Sequence, residues 1–221
     1  MPNKQRVLND KLCRHIDLLT ERYPMLKLIE QNVVDAYFLM EDCYANGGKL
    51  LIAGNGGSAA DAEHIVGELM KGFKLPRHCP NEFVEKLTTI APELAEYLAS
   101  CLQGGLPAIA LDGHPALSTA FLNDVDAKVG FAQQVYGYGK PNDLLLAIST
   151  SGNSQNVVYA IAAAKALGMK AIGMTGKKDS KVSAMSDVTI QVPETETYMI
   201  QELHLPVYHC LCLMLEEKFF G

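Results

Sequence analysis

Ser149-Thr150-Ser151-Gly152-Asn153-Ser154 places four hydroxyls in six residues, and Gly54-Asn55-Gly56-Gly57-Ser58 offers similar chemistry earlier in the chain. Each segment follows a short apolar run and precedes a stretch of helical spacing. A strand that ends in such a loop and opens a helix aims several backbone N–H groups at one point, and the helix N-terminus adds roughly half a positive charge there. Glycine lets the backbone approach a ligand closely. Serine and threonine add donors without adding charge. These loops are suited to a phosphate. The plainer reading of the second is a polar loop whose Ser154 caps the following helix. Neither loop has the GxxxxGK[ST] or GxGxxG spacing, so no nucleotide cofactor is expected.

A second set of candidates lies on helices. His64 and Glu68 are four apart, on one face of the helix that follows the first loop. A carboxylate beside an imidazole can hold a divalent metal or share proton transfer. Near the C-terminus, Gln201, Glu202, His204 and His209 follow one another on another helical run. Spacing alone pairs Gln201 with His204, one turn apart, and His204 by itself reads as a core or interface histidine.

The elements that must position these groups alternate. Apolar runs at 50–53, 108–111, 144–148, 171–174 and 188–192 read as buried strands between turn signals, and 59–71, 155–167 and a last segment from about 194 or 198 to 219 read as helices. Alternation of this kind predicts an α/β fold, a doubly wound five-stranded parallel sheet covered by helices on both faces, with ligands beyond the carboxyl ends of the strands. Residues 1–45 read as two N-terminal helices broken at Pro24, the second running from about Met25 to Ala45. Residues 76–105, with Pro76, Pro80 and Pro92 and an amphipathic stretch through Leu94, Leu98 and Leu102, read as a helical insertion entering near the ligand end of the sheet, either a lid, an oligomer contact or a surface elaboration.

The 221 residues suit one domain, 1–221, with a substantial core. A net charge of −6 argues against a nucleic-acid surface. No apolar run approaches the ~20 residues of a membrane helix, and the polar N-terminus lacks a secretory h-region. The six cysteines form no CxxC pair, which fits incidental thiols in a reducing cytoplasm.

Taken together, these residues resemble the SIS (sugar isomerase) domain family, and within it the phosphoheptose (sedoheptulose-7-phosphate) isomerases. The resemblance covers nearly the whole chain apart from the insertion. It is carried by Gly54-Asn55-Gly56-Gly57-Ser58, by Asp61, His64 and Glu68, by Asn123-Asp124, by the Ser149–Ser154 block, by Thr175-Gly176, and by Ile200-Gln201-Glu202 with His204 and His209.

The resemblance implies a flavodoxin-like fold and an aldose–ketose isomerisation of a seven-carbon sugar phosphate through an enediol. It implies Glu68 as the base, His209 as its acid partner, and substrate contacts from Asn55, Gly56, Gly57, Ser58, Asn123, Asp124, Ser149, Thr150, Ser151, Asn153, Ser154 and Gln201. In metal-containing members His64, Glu68, Gln201 and His209 would be zinc ligands. Gln201 and His209 are eight apart, about 12 Å along a straight helix, so Pro206 must kink that helix or the two residues serve sites in different subunits.

Three places depart from the family pattern: Ala59 where several members have histidine, the stretch Thr197-Tyr198-Met199-Ile200 where an acidic and a basic residue are usual, and the stretch after Glu68, where Lys71 or Lys74 would replace an arginine. Three rival readings follow: an isomerase of another sugar phosphate, a non-catalytic SIS protein of the DnaA-associating type, or a sugar-phosphate sensor that controls another protein. Unpartnered apolar stripes on the N-terminal and last helices imply a homo-oligomer, a tetramer of D₂ type.

Overall fold

The computed structural model describes residues 6–221. α1 (Asp10–Arg22) starts where the Asn9 side chain accepts the Leu12 N–H at 3.0 Å, and it buries Leu12, Ile16 and Leu19. The segment expected as one helix from Met25 is two: a 3₁₀ helix over Pro24–Ile29, then α2 (Glu30–Ala45). The tighter winding eclipses residues three apart, and this puts Leu26 and Ile29 on one face, where both are buried.

β1 (Leu50–Ala53) leads through the first loop into α3 (Gly57–Met70). α4 (Asn81–Ile90) and α5 (Pro92–Cys101) occupy the 76–105 segment and bury only Ala95 between them. β2 (Ala108–Ala110) follows, then α6 (Pro115–Asp124), a 3₁₀ turn over Ala127–Val129, and α7 (Gly130–Tyr138). The sequence reading placed no helix between β2 and β3. α6 buries no side chain, so its apolar residues mark no face, and Gly130 and Gly137 obscure α7. The chain continues with β3 (Leu144–Ile148), α8 (Gln155–Ala166), β4 (Lys170–Thr175), α9 (Lys181–Met185), β5 (Val188–Gln191) and α10 (Thr197–Phe220).

The five strands pair in the order β2-β1-β3-β4-β5, all parallel. Every residue of β1 and β3 is buried, which is why both read as continuous apolar runs. Leu50, Ile52, Leu144, Leu146 and Ile148 face α1, α2, α3 and α10, while Leu51, Ala53, Leu145 and Ala147 face α7, α8 and α9. Each fully buried Leu or Ile contributes about 1.5–3 kcal/mol.

The strand order reverses between β1 and β3, and the crevice beyond their carboxyl ends is the expected ligand position in such a sheet. Both Gly/Ser loops emerge there, from strands paired Ala53 to Ala147. The insertion lies elsewhere. It leaves the C-terminal end of α3 and returns to the start of β2, so it sits at the amino edge of the sheet, not at the ligand end the sequence reading expected. A crossover helix runs back against its strands, which forces this placement.

Candidate functional site

Three groups of side chains emerge from this frame. The first is the β1–α3 loop. Gly56 has φ +56°, a left-handed conformation that favours glycine, and Ser58 is buried in the first turn of α3. The Asn55 amide exchanges hydrogen bonds of 3.0 and 2.8 Å with the Asn156 amide on α8, which ties the two loops across the switch point. The adjoining cleft is lined by Asn55 and Gly56 together with Asp112, Ser118, Thr119 and Asn156. Burial, together with neighbouring Glu63, pushes the Asp112 carboxyl up. Asn123 and Asp124 are exposed at the end of α6, joined to each other at 2.7 Å, and are not among the residues that line this cleft.

The second group is the β3–α8 loop. Ser149 is buried and its hydroxyl donates to Ser154 Oγ at 3.0 Å. The Ser154 side chain makes no capping bond to α8, so the capped-loop reading does not hold. Gly152 has φ +64°, and a Cβ there would run into the Ser180 hydroxyl. Asn153 Oδ1 accepts the Lys181 N–H at 3.2 Å, fixing the loop to the start of α9. Thr150, Ser151 and Asn153 open onto a cleft shared with Gly176, Lys177 and Lys178. The two lysines add the positive charge the loop itself lacks. The sequence reading missed them, although Thr175-Gly176 closes a strand at the ligand edge and marked the place.

The third group forms where α3 and α10 lie side by side. Gln201 touches Gly57 at the start of α3, and Tyr208 and His209 meet His64 farther along, so the two helices run in the same direction. Tyr208 donates its hydroxyl proton to Asp61 Oδ1 at 3.1 Å, and the same oxygen is 3.1 Å from His64 Nδ1. With that proton committed to Asp61, the hydroxyl accepts from His64 Nδ1–H, which fixes the orientation of the ring. His64 Nε2 is 3.2 Å from Glu68 Oε1, a carboxylate oxygen that accepts, and 3.5 Å from His209 Nε2. Lys71 Nζ stands 3.3 Å from Glu68 Oε2.

The electrostatics follow from burial. Burial first, and then the neighbouring His64, hold the His209 imidazole below its ordinary value, against the pull of Glu68. Burial raises the Asp61 carboxyl despite the Tyr208 hydrogen bond, and raises the Tyr208 phenol, with Asp61 adding to it. His204 is fully buried against the Thr175 carbonyl, and burial holds it at about 4. It is a neutral core residue.

The four residues expected as zinc ligands do not converge within one chain. Pro206 leaves α10 a single helix from Thr197 to Phe220, and Gln201 stays beside Gly57, two turns from His209. Glu68 lies eleven residues along α3 from Gly57, about 16 Å at 1.5 Å per residue. The loops and the Glu68–His209 pair are therefore at opposite ends of α3.

Comparison with known proteins finds close relatives over most of the chain. A family model described as SIS domain matches residues 88–176. A phosphoheptose isomerase of Aneurinibacillus thermoaerophilus is 36% identical over 220 residues, covering 96% of each chain. One from Geotalea daltonii is 38% identical over 183 residues, covering 83% of this chain and 82% of its own. The solved phosphoheptose isomerase GmhA from Neisseria gonorrhoeae superposes with a TM-score of 0.71 at 32% identity, covering 96% of this chain and 100% of that one.

Proposed function

The chain belongs to the phosphoheptose isomerase family of SIS-domain proteins, and on that footing we propose that it interconverts sedoheptulose 7-phosphate and D-glycero-D-manno-heptose 7-phosphate through an enediol. The observation that carries the reading is the meeting of Glu68, His64 and His209 at 3.2 and 3.5 Å. A carboxylate and a neutral imidazole suit proton transfer beside a carbonyl.

In the ketose-to-aldose direction Glu68 takes a proton from C1 while His209 gives one to O2, forming the enediol. Glu68 then delivers its proton to C2 and His209 recovers one from O1, so no net proton is gained or lost. Ser58 and the Ser149–Ser154 loop hold the phosphate with backbone N–H groups, hydroxyls and the nearby Lys177 and Lys178. Asn55 and Gln201 hold sugar hydroxyls.

Zinc is tested by the donors present. His64 Nε2, Glu68 Oε1 and His209 Nε2 are of its preferred kinds, with His64 Nε2 3.2 Å from Glu68 and 3.5 Å from His209. Among the described residues no group of three or more His, Cys, Asp or Glu side chains is arranged to hold a metal ion, so zinc rests on the kinds of donor present. The donor types fit, with His64, Glu68 and His209 as one chain's ligands and Gln201 too distant in the same chain to join them. Zinc, when bound, supplies a Lewis acid that polarises the carbonyl and stabilises the enediolate.

The separation of loops and catalytic pair along α3 supports a homotetramer in which one subunit's loops serve another's pair. A groove between α1 and α10, lined by Leu18, Tyr23, Leu205, Pro206 and His209, gives that assembly a face beside the pair. No helix of the described residues is long and apolar enough to cross a membrane. The six free cysteines favour a cytoplasmic setting.

The test is conversion of sedoheptulose 7-phosphate followed by NMR, with and without added zinc. Turnover is expected, with a loss of about 10²–10⁴-fold in Glu68→Gln. Absence of turnover under both conditions, alongside turnover of a different sugar phosphate, would reassign the substrate. Full activity in Glu68→Gln would remove the base.

A further inference from the structure

The turn of α3 that carries Glu68 ends without a glycine cap and without a basic residue of its own; the residue after it, Lys71, is extended. The last carbonyls of a helix need partners from elsewhere. Here Leu69 O takes the Leu106 N–H at 2.9 Å, and Arg77, seven positions beyond the helix and fully buried, supplies further donors. Its Nη2 donates to Glu68 O at 3.0 Å and its Nη1 to Leu69 O at 2.7 Å, so a positive charge sits at the negative end of the helix. Its Nε donates to Glu216 Oε1 at 2.9 Å, and its guanidinium lies 4.6 Å over the Phe220 ring.

Glu216 is also buried, two turns beyond His209 on α10. Its carboxylate accepts the N–H groups of Phe73, Lys74 and Leu75 at 2.8, 2.8 and 3.1 Å. The strap held in this way brings the Phe73 ring to 5.4 Å from the His209 ring.

We propose that the Arg77–Glu216 pair is a positioning device for the proton-transfer pair, locking the backbone under Glu68, the register of α10 under His209, and the strap that covers His209. The proposal rests on the reading of Glu68 and His209 as the reacting groups. Stability alone does not require an ion pair here, because well-packed apolar residues often hold a buried site as well or better. A forked cation does what they cannot: it fixes two carbonyls and a carboxylate in set directions at once. The phosphate loops lie at the far end of α3 and make none of these contacts.

The experiment compares the full-length wild type, Glu68→Gln, Arg77→Lys and Arg77→Met, each checked for folding by circular dichroism. Turnover of sedoheptulose 7-phosphate is measured together with competitive inhibition by inorganic phosphate. Misplacement of a reacting group by about 1 Å costs about 10²-fold, so kcat should fall by about that factor in Arg77→Met. Arg77→Lys keeps the charge but loses the fork, and its kcat should fall by about tenfold, which carries the test if the methionine variant does not fold. KM and phosphate inhibition should stay at their wild-type values. The proposal is overturned if folded Arg77→Lys keeps wild-type kcat, or if KM and phosphate inhibition weaken in step with kcat. A wild type without turnover, or full turnover in Glu68→Gln, would remove the isomerase reading itself and the proposal with it.

Discussion

His64 depends on a neighbour that sequence spacing does not reveal. Tyr208 bridges Asp61 and His64 Nδ1 and so holds His64 Nε2 toward Glu68 and His209. Removing that hydroxyl frees the ring to rotate or change tautomer and leaves Asp61 buried with one partner fewer. Tyr208→Phe should therefore fold, since the ring and its packing remain, yet lose about 10–100-fold in turnover, the usual cost of deleting an outer partner of such a histidine. Steady-state kinetics on the purified variant read this directly, and unchanged turnover would detach the relay from the chemistry. The spacing of His64 and Glu68 was legible because four residues make one helical turn. Tyr208 and Asp61 are far apart in sequence, and only the side-by-side course of α3 and α10 joins them.

α10 shows how far an element can be read before its neighbours are known. Its length and apolar character were plain, but its residues do three different jobs that spacing does not separate. Gln201 rests against Gly57, His209 meets His64, and His204 between them is sealed in the core. Burial lowers the His204 pKa from 6.5 to about 4, so the unfolded chain binds a proton that the folded chain refuses between those values. Stability must then rise with pH across that window and fall as the pH drops from about 6.5 toward 4. Urea unfolding at pH 7 and pH 5 should show a loss in the wild type that is smaller in His204→Gln; an equal loss in both would assign the acid sensitivity to other groups. The strands were legible for a simpler reason: full burial on both faces leaves β1 and β3 no polar positions. α6 was not, because it buries nothing, and the position of the 76–105 segment was misjudged because the antiparallel run of the crossover helix, not composition, decides which end of the sheet it meets.

At the scale of the whole molecule, one chain holds all the proposed parts and still keeps them apart. The Gly/Ser loops meet at the switch point of the sheet, and Glu68 with His209 sits about 16 Å along α3 from the first of them. If sites are completed between subunits, two variants defective in different parts should repair each other. Glu68→Gln retains both loops but lacks the base. Gly152→Ala retains the pair, but its new Cβ meets the Ser180 hydroxyl at a backbone position with φ +64°, which displaces the phosphate loop. Each alone should be nearly inactive. In oligomers assembled from equal amounts of both, a site needs its loop from a Glu68→Gln chain and its base from a Gly152→Ala chain. Random assortment gives each condition one chance in two, so about a quarter of wild-type activity should return. Co-refolding the two variants and assaying sedoheptulose 7-phosphate turnover, with light scattering on the same sample, measures recovery and assembly together. An oligomer that forms without recovering activity would mean that each chain closes its own site, with α3 spanned by movement within the subunit; recovery near a quarter would assign every site to two chains and explain why the loops and the catalytic pair can sit at opposite ends of one helix.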